Sequence, residues 1–265
     1  NPESLIDNLN LKLKSSKKIS LSEFILRGQY PEPSLKKAVD RRFWCGSYIS
    51  TYLERDVRNL AHIGDFQQFE IFLKICASRT GQILNMSDIS REIGVSVPTI
   101  KKWLSVMEAG YQIYLLYPYY RNMGKRFVKS PKLYFTDTGL ASYLLGINSR
   151  ETLLAHPSFG NLFETMVVID FLKRFYHSGQ KPSMYYLRTR DGFEIDLVIE
   201  RGNGLHLFEI KSSMTITPKH VFSLEKGKRE LSGNVKSAAL ISAAKDNFPV
   251  KGKINNFNWR NILSA

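Results

Sequence analysis

Apolar positions recur at helical spacing through the first part of the chain and give way to short apolar or alternating runs later. After Ser20, Leu21-Ser22-Glu23-Phe24-Ile25 begins a short helix, and Gln29-Tyr30-Pro31-Glu32-Pro33 reads as a loop. Phe43 to Arg58 reads as a long amphipathic helix. Phe66 to Ser78 reads as another, with apolar residues at 66, 69, 72, 73 and 76. Ser87 to Gly94 is a short helix ending at glycine, and Val95-Ser96 makes a turn. Ser96 can cap a helix over Val97–Ala109, with Pro98 in its first turn and Ile100, Trp103, Leu104 and Met107 as the inward stripe. Strands are expected over Tyr111 to Tyr119 and Arg126 to Phe135. Asp137 or Thr138 then caps a short helix that stops at Gly146, where Asp137 is a structural cap and not a catalyst.

Helical spacing returns at 163, 166, 167, 171 and 172, and strands follow. Tyr185 to Arg188, Glu194 to Glu200 and Leu205 to Lys211 read as three strands. The last two are joined by the turn-rich Arg201-Gly202-Asn203-Gly204 into an antiparallel hairpin. Lys236 to Ser242 suits a buried strand of an α/β sheet.

The hairpin carries the chemistry. Residues i and i+2 of a strand share a face, so Glu209 and Lys211 project together while Ile210 turns away. Asp196 stands in an otherwise apolar strand, an expensive place for a carboxylate without a partner. An antiparallel hairpin brings it near Glu209. Two carboxylates with water and phosphate oxygens suit Mg²⁺ or Mn²⁺. Such an ion would activate water and stabilise a phosphorane-like transition state, with Lys211 orienting the nucleophile or holding the phosphate. A third carboxylate, Glu164, lies near the start of the preceding helix. This series of a helix Glu, a strand Asp and Glu-x-Lys resembles the PD-(D/E)xK nuclease superfamily. Asp196 and Glu209 are thirteen positions apart, a normal separation there. The resemblance implies Glu164, Asp196, Glu209 and Lys211 as the catalytic set and the three acids as metal ligands. A solvated, charge-paired strand face is the alternative reading of the same residues.

The 265 residues suffice for two or three modules, and no run approaches the ~18 apolar residues of a membrane span. The N-terminus is no signal peptide, and without Met it is expected to be cut from something longer. Cys45 and Cys76, both in apolar or aromatic settings, read as buried thiols of a cytoplasmic protein. His62 and His156 are isolated and read as ordinary surface or packing residues.

Lysine and arginine outnumber acids 38 to 24, a net charge of +14. From Lys101 to Lys132 there are seven bases (Lys101, Lys102, Arg121, Lys125, Arg126, Lys129 and Lys132) against one acid, Glu108. That surplus coincides with a winged helix-turn-helix pattern over residues 80–135. Thr99, Lys101 and Lys102 face out from its second helix, and Arg121, Lys125 and Arg126 fall on or near the tip of the wing. These six residues are the expected DNA contacts.

Taken in order, Tyr48-x-x-Thr51-Tyr52-Leu53-Glu54-Arg55-Asp56, the winged helix, Lys129-Ser130-Pro131-Lys132-Leu133-Tyr134-Phe135-Thr136-Asp137-Thr138-Gly139-Leu140, Gly160-x-Leu162-Phe163-Glu164 and Glu194-x-Asp196 resemble the C-terminal half of a bacterial and archaeal family of AAA-type ATPases. The C-terminal domain of that family, of unknown function, is similar to PD-(D/E)xK nucleases. The family's P-loop is missing: no G-x-x-x-x-G-K-[ST] occurs, so ATP is not an expected ligand of this chain. Arg55 or Arg58 would sense a neighbour's nucleotide or serve in a salt-bridged helix.

The fold class expected is α+β and multidomain. A helical segment occupies 1–79 (an ATPase lid remnant), a winged helix-turn-helix 80–135 and an α/β PD-(D/E)xK nuclease-like domain 136–265. The function expected is a DNA-associated region of an AAA-type ATPase with a metal-dependent endonuclease site. The alternative is a non-catalytic nuclease-like scaffold with a protein-docking winged helix. Expected partners are DNA, a further copy of the chain or an ATPase half, and no membrane.

Overall fold

The computed structural model describes residues 19–36, 38–52, 66–119, 128–202, 204–231 and 233–263. These form a mixed α/β structure in two compact units. The first comprises Ile19–Leu115 and Pro131–Thr165; the second comprises Leu116–Ser130 and the chain from Met166 onward. Each unit draws on more than one of the modules expected at 1–79, 80–135 and 136–265.

In the first unit, Ser20 opens α1 (Leu21–Arg27) by accepting the Glu23 N–H at 3.1 Å. The stretch expected as a loop at 29–33 contains the start of α2 (Pro31–Leu35). Pro31 stands in the first helical turn, where its missing N–H would have no intrahelical partner in any case. Asp40 caps α3 (Arg41–Thr51); the expected continuation of that helix past Tyr52, with Arg55 and Arg58, lies outside the described residues. α4 (Phe66–Ser78) follows as expected, then β1 (Gln82–Ile83), α5 (Met86–Ile93) and α6 (Val97–Ala109). α5 ends on Gly94 in the left-handed conformation (φ 81°), a backbone that costs glycine little. Ser96 caps α6 by accepting the Thr99 N–H at 3.2 Å.

The inward stripe of α6 is buried as its spacing predicts. Trp103 lies with its ring centroid 5.3 Å from those of Phe69 and Phe72 on α4. β2 (Ile113–Leu116) and β3 (Lys132–Phe135) are shorter than the strands expected. Tyr111 is held at φ 53° where α6 ends, with the Gln112 N–H bonded to the Met107 carbonyl, so extended backbone begins only at Ile113. β3 lies between β1 and β2.

α7 (Thr138–Leu144) is anchored by the residues that precede and open it. Asp137 caps it through the Leu140 N–H at 2.8 Å, as expected of a structural cap. The same carboxylate accepts the N–H of Gln29 at 2.5 Å and of Tyr30 at 3.2 Å, just past the end of α1. Thr138 donates to the Ile25 carbonyl at 2.9 Å. A Cβ on Gly139 would stand 2.8 Å from the Arg27 carbonyl. Asp-Thr-Gly is therefore a clasp on the end of α1. α8 (Arg150–Ala155) and the first turns of α9 (Phe159–His177) complete the unit, whose boundary falls within α9.

The second unit is built on a six-stranded sheet of order β4-β5-β6-β7-β9-β8. Its strands are β4 (Met184–Arg188), β5 (Glu194–Arg201), β6 (Gly204–Lys211), β7 (Val235–Ser242), β8 (Phe248–Lys251) and β9 (Ile254–Asn258). β4, β5 and β6 form an antiparallel meander, and β6, β7 and β9 run parallel. A 3₁₀ turn (Pro218–Val221) and α10 (Phe222–Glu230) make the crossover from β6 to β7. Ile195, Val198, Leu207 and Leu240 form a core with Val221 and Leu224 at that crossover. A Cβ on Gly227 would lie 2.5 Å from Ile195, so α10 rests closely on the sheet. Phe208 packs instead on Phe171 of α9, with ring centroids 5.1 Å apart. α11 (Trp259–Leu263) closes the described chain.

Candidate functional site

The β5–β6 ladder is the antiparallel hairpin expected, and it pairs Leu197 with Phe208 through to Arg201 with Gly204. The paired residues end at Leu197 and Phe208, and the same register carried one step further would set Asp196 opposite Glu209. The β4–β5 ladder slips at the same place. Tyr185 pairs with Val198 and Leu187 with Ile195, so Asp196 and Leu197 together span the step that Tyr186 takes alone. Such a bulge bends a strand and re-aims its side chains. Asp196 Oδ2 accepts the Ile210 N–H at 2.8 Å, a charge-assisted bond that fixes the carboxylate against β6.

Lys211 completes the cluster. Its Nζ lies 2.6 Å from Glu209 Oε1 and 3.6 Å from Asp196 Oδ2. Both carboxylates are buried, at 6% exposure each, while the Lys211 side chain keeps 37%. The structure thus brings together three of the four expected catalytic residues: two carboxylates shielded from water and a lysine that reaches solvent. Lys211 also stands beside Ser242 in the parallel β6–β7 register. Ser242 is fully buried and donates to Asn256 Oδ1 at 2.6 Å, which ties the end of β7 to β9.

Glu164 belongs to the first compact unit, whereas Asp196, Glu209 and Lys211 belong to the second. Glu164 Oε1 accepts from Lys132 Nζ at 2.9 Å and from the Tyr134 hydroxyl at 2.6 Å. Lys132 is 3% exposed, so one of the seven bases that make up the surplus between Lys101 and Lys132 is an interior partner of Glu164. The sequence pattern did not reveal this pairing. Its available signal was a lysine at the head of a strand whose other residues are Leu133, Tyr134 and Phe135. Among the described residues no group of three or more His, Cys, Asp or Glu side chains is placed to hold a metal ion.

Of the expected DNA contacts, Lys101 and Lys102 are exposed on α6, and Thr99 is half-buried beside its cap, 2.8 Å from the Ser96 hydroxyl. Arg121, Lys125 and Arg126 lie outside the described residues. Cys45 and Cys76 are buried free thiols, and burial pushes the Cys45 thiol up to about 12, which leaves it protonated and unreactive at neutral pH. No helix of the described residues is long and apolar enough to cross a membrane.

Two families match the chain. The one described as Domain of unknown function (DUF8612) matches residues 18–151, and Domain of unknown function (DUF4143) matches residues 159–262. The second is typically the C-terminal part of AAA-ATPase-like proteins, in keeping with an ATPase-associated region. Among curated proteins, the uncharacterized proteins Rv2008c of Mycobacterium tuberculosis and Mb2031c of Mycobacterium bovis are each 32% identical over 192 residues. That stretch is 72% of this chain and 42% of each relative, so the chain matches less than half the length of either. With the first family covering just over half of its residues, the chain belongs to the family of the Domain of unknown function DUF8612.

Proposed function

We propose that this chain is a DNA-associated region of an AAA-type ATPase whose C-terminal sheet carries a metal-dependent phosphodiester-cleaving site. The observation that carries the reading is the convergence of Asp196, Glu209 and Lys211 at the end of adjacent strands, with an ammonium within 4 Å of two buried carboxylates. The antiparallel meander followed by a crossover to a parallel strand supports assigning this sheet to the PD-(D/E)xK nuclease-like fold.

The donor set fits a hard divalent cation: two carboxylates, no thiolate and no imidazole. Mg²⁺ or Mn²⁺ would be held by Asp196 and Glu209 and, when bound, would supply a nucleophilic water and charge neutralisation. Asp196 is already fixed by the Ile210 N–H, so its carboxylate needs little reordering. Lys211, released from the carboxylates by the cation, would turn its ammonium to a phosphate oxygen.

DNA contact is proposed for the module made by α4, β1, α5, α6, β2 and β3. Its element order and its β1-β3-β2 sheet support a winged-helix assignment. Thr99, Lys101 and Lys102 on α6 would meet the duplex.

The test is Mn²⁺- or Mg²⁺-dependent relaxation of supercoiled plasmid, repeated with Asp196→Ala. Cutting by the parent and not by the variant supports the site; equal cutting by both, or by neither, refutes it. The second reading, a non-catalytic scaffold, is favoured by Lys211 already being ion-paired with both carboxylates. It predicts no cutting and no Mn²⁺ affinity.

A further inference from the structure

Away from the carboxylate cluster, the second unit presents a groove of about 340 Å³ between the second half of α10 and the β8–β9 turn. Its lining includes Lys228 and Arg229 from α10 and Lys251 and Lys253 from the turn, against one acid, Glu225. Lys251 is ion-paired with Glu225 at 3.0 Å. Among the described residues Lys228, Arg229 and Lys253 have no acidic partner. Three cations uncompensated along one groove repel one another, and a bound polyanion relieves that repulsion.

An aromatic ring stands at one end of this row. Phe222 is 53% exposed, and Lys251 Nζ lies 5.1 Å from its centroid. Phe222, Glu225 and Arg229 are three and four residues apart on α10, so they share one stripe of the helix. The stripe from Phe222 to Arg229 is about 10 Å long at 1.5 Å per residue. Phosphate-binding cations along a groove with an exposed ring beside them form the combination that holds an unpaired strand, its bases stacking on the ring. A duplex offers phosphates to the same cations but no base face to the ring.

We propose that this groove binds single-stranded nucleic acid, with phosphates lying along Lys228, Arg229 and Lys253 and a base stacked on Phe222. The proposal stands apart from the carboxylate cluster and from Lys101 and Lys102, so it survives or fails independently of them.

The experiment is fluorescence anisotropy of the full chain with a labelled oligothymidylate in EDTA, across a salt series. Lys228→Glu with Lys253→Glu should weaken binding by more than tenfold and flatten the salt dependence by about 1.4 in log–log slope, because two phosphates would no longer meet a cation. Phe222→Ala should weaken it about tenfold, while Phe222→Trp should preserve it. All three positions are exposed or partly exposed, and circular dichroism with the melting temperature checks that each variant is folded. Unchanged affinity in the folded variants overturns the proposal. So does a loss with Phe222→Ala that Phe222→Trp does not restore, and so does equal, equally variant-sensitive binding of duplex, polyglutamate or phosphatidylserine vesicles. A variant of Lys101 and Lys102 should leave the sensitivity to Lys228 and Lys253 intact.

Discussion

Lys211→Met removes the cation that lies between two buried carboxylates. The ammonium is 2.6 Å from Glu209 and 3.6 Å from Asp196, and each carboxylate side chain is only 8% exposed. At an effective dielectric constant near 20, the gross attraction to each partner is roughly 5–6 kcal/mol. Most of that offsets the desolvation of the three charges. Breaking a fully buried pair costs about 3–5 kcal/mol. Here the lysine keeps 37% of its exposure, so water screens it and the cost falls to about 2–3 kcal/mol. In EDTA at neutral pH the variant should melt roughly 5–10 °C below the parent. Methionine preserves most of the apolar stem, so the loss reports charge and not packing. If Asp196 and Glu209 accept a divalent cation in place of the ammonium, Mn²⁺ at ten times its dissociation constant should return about 1.4 kcal/mol. The assay is differential scanning calorimetry of both proteins with EDTA and with a Mn²⁺ series. A variant that melts within 1 °C of the parent in EDTA would refute the electrostatic argument. A variant that is destabilised but indifferent to Mn²⁺ would remove the metal from the proposal and leave a structural charge cluster.

Asp137→Ala strips the acceptor from the N–H groups of Leu140, Gln29 and Tyr30 and should cost about 3–5 kcal/mol by chemical denaturation. Asp137→Asn, which keeps one oxygen acceptor, should cost about half; equal stability of all three proteins would show that the clasp contributes nothing. Gly139→Ala should destabilise by at least about 2 kcal/mol, because its Cβ would meet the Arg27–Gly28 backbone at 2.8 Å and neither side is a flexible chain end. Burial raises the Asp170 carboxyl above its ordinary value of 3.8, with Arg174, 2.7 Å away, pulling the other way and losing. The folded state therefore holds that proton more tightly than the unfolded chain does. The group's contribution to stability is fully present below the unfolded value and is lost as pH rises through the folded one. Asp170→Asn should lose stability relative to the parent at acid pH and regain ground as pH rises from the unfolded value through the raised folded one; a stability difference that does not change with pH would contradict this.

Patterning made the local elements legible. A cap residue, a 3.6-residue apolar period and a terminal glycine mark α5 and α6 because a helix must satisfy its end groups from nearby residues. The β5–β6 hairpin was equally legible, since an alternating pair of strands around a short turn has few registers that bury one face. Asp196, Glu209 and Lys211 followed from that register. Glu164 did not. Its place in the motif order suggested a fourth member of the set, but its carboxylate is taken by Lys132 and Tyr134, which precede it by thirty-two and thirty residues. The cationic groove was invisible in the same way, because its bases come from two segments that no local pattern joins.

The sequence by itself determined which residues cap, turn and alternate, and hence that two carboxylates and a lysine meet at the end of one hairpin. Only the tertiary structure decided which charges are spent inside the protein and which face outward. A charge looks the same in a sequence whether it is buried against a partner, as Lys132 is, or set along a groove with no acidic partner among the described residues, as Lys253 is. The difference is made by desolvation and pairing, and both depend on neighbours that the chain brings together only by folding.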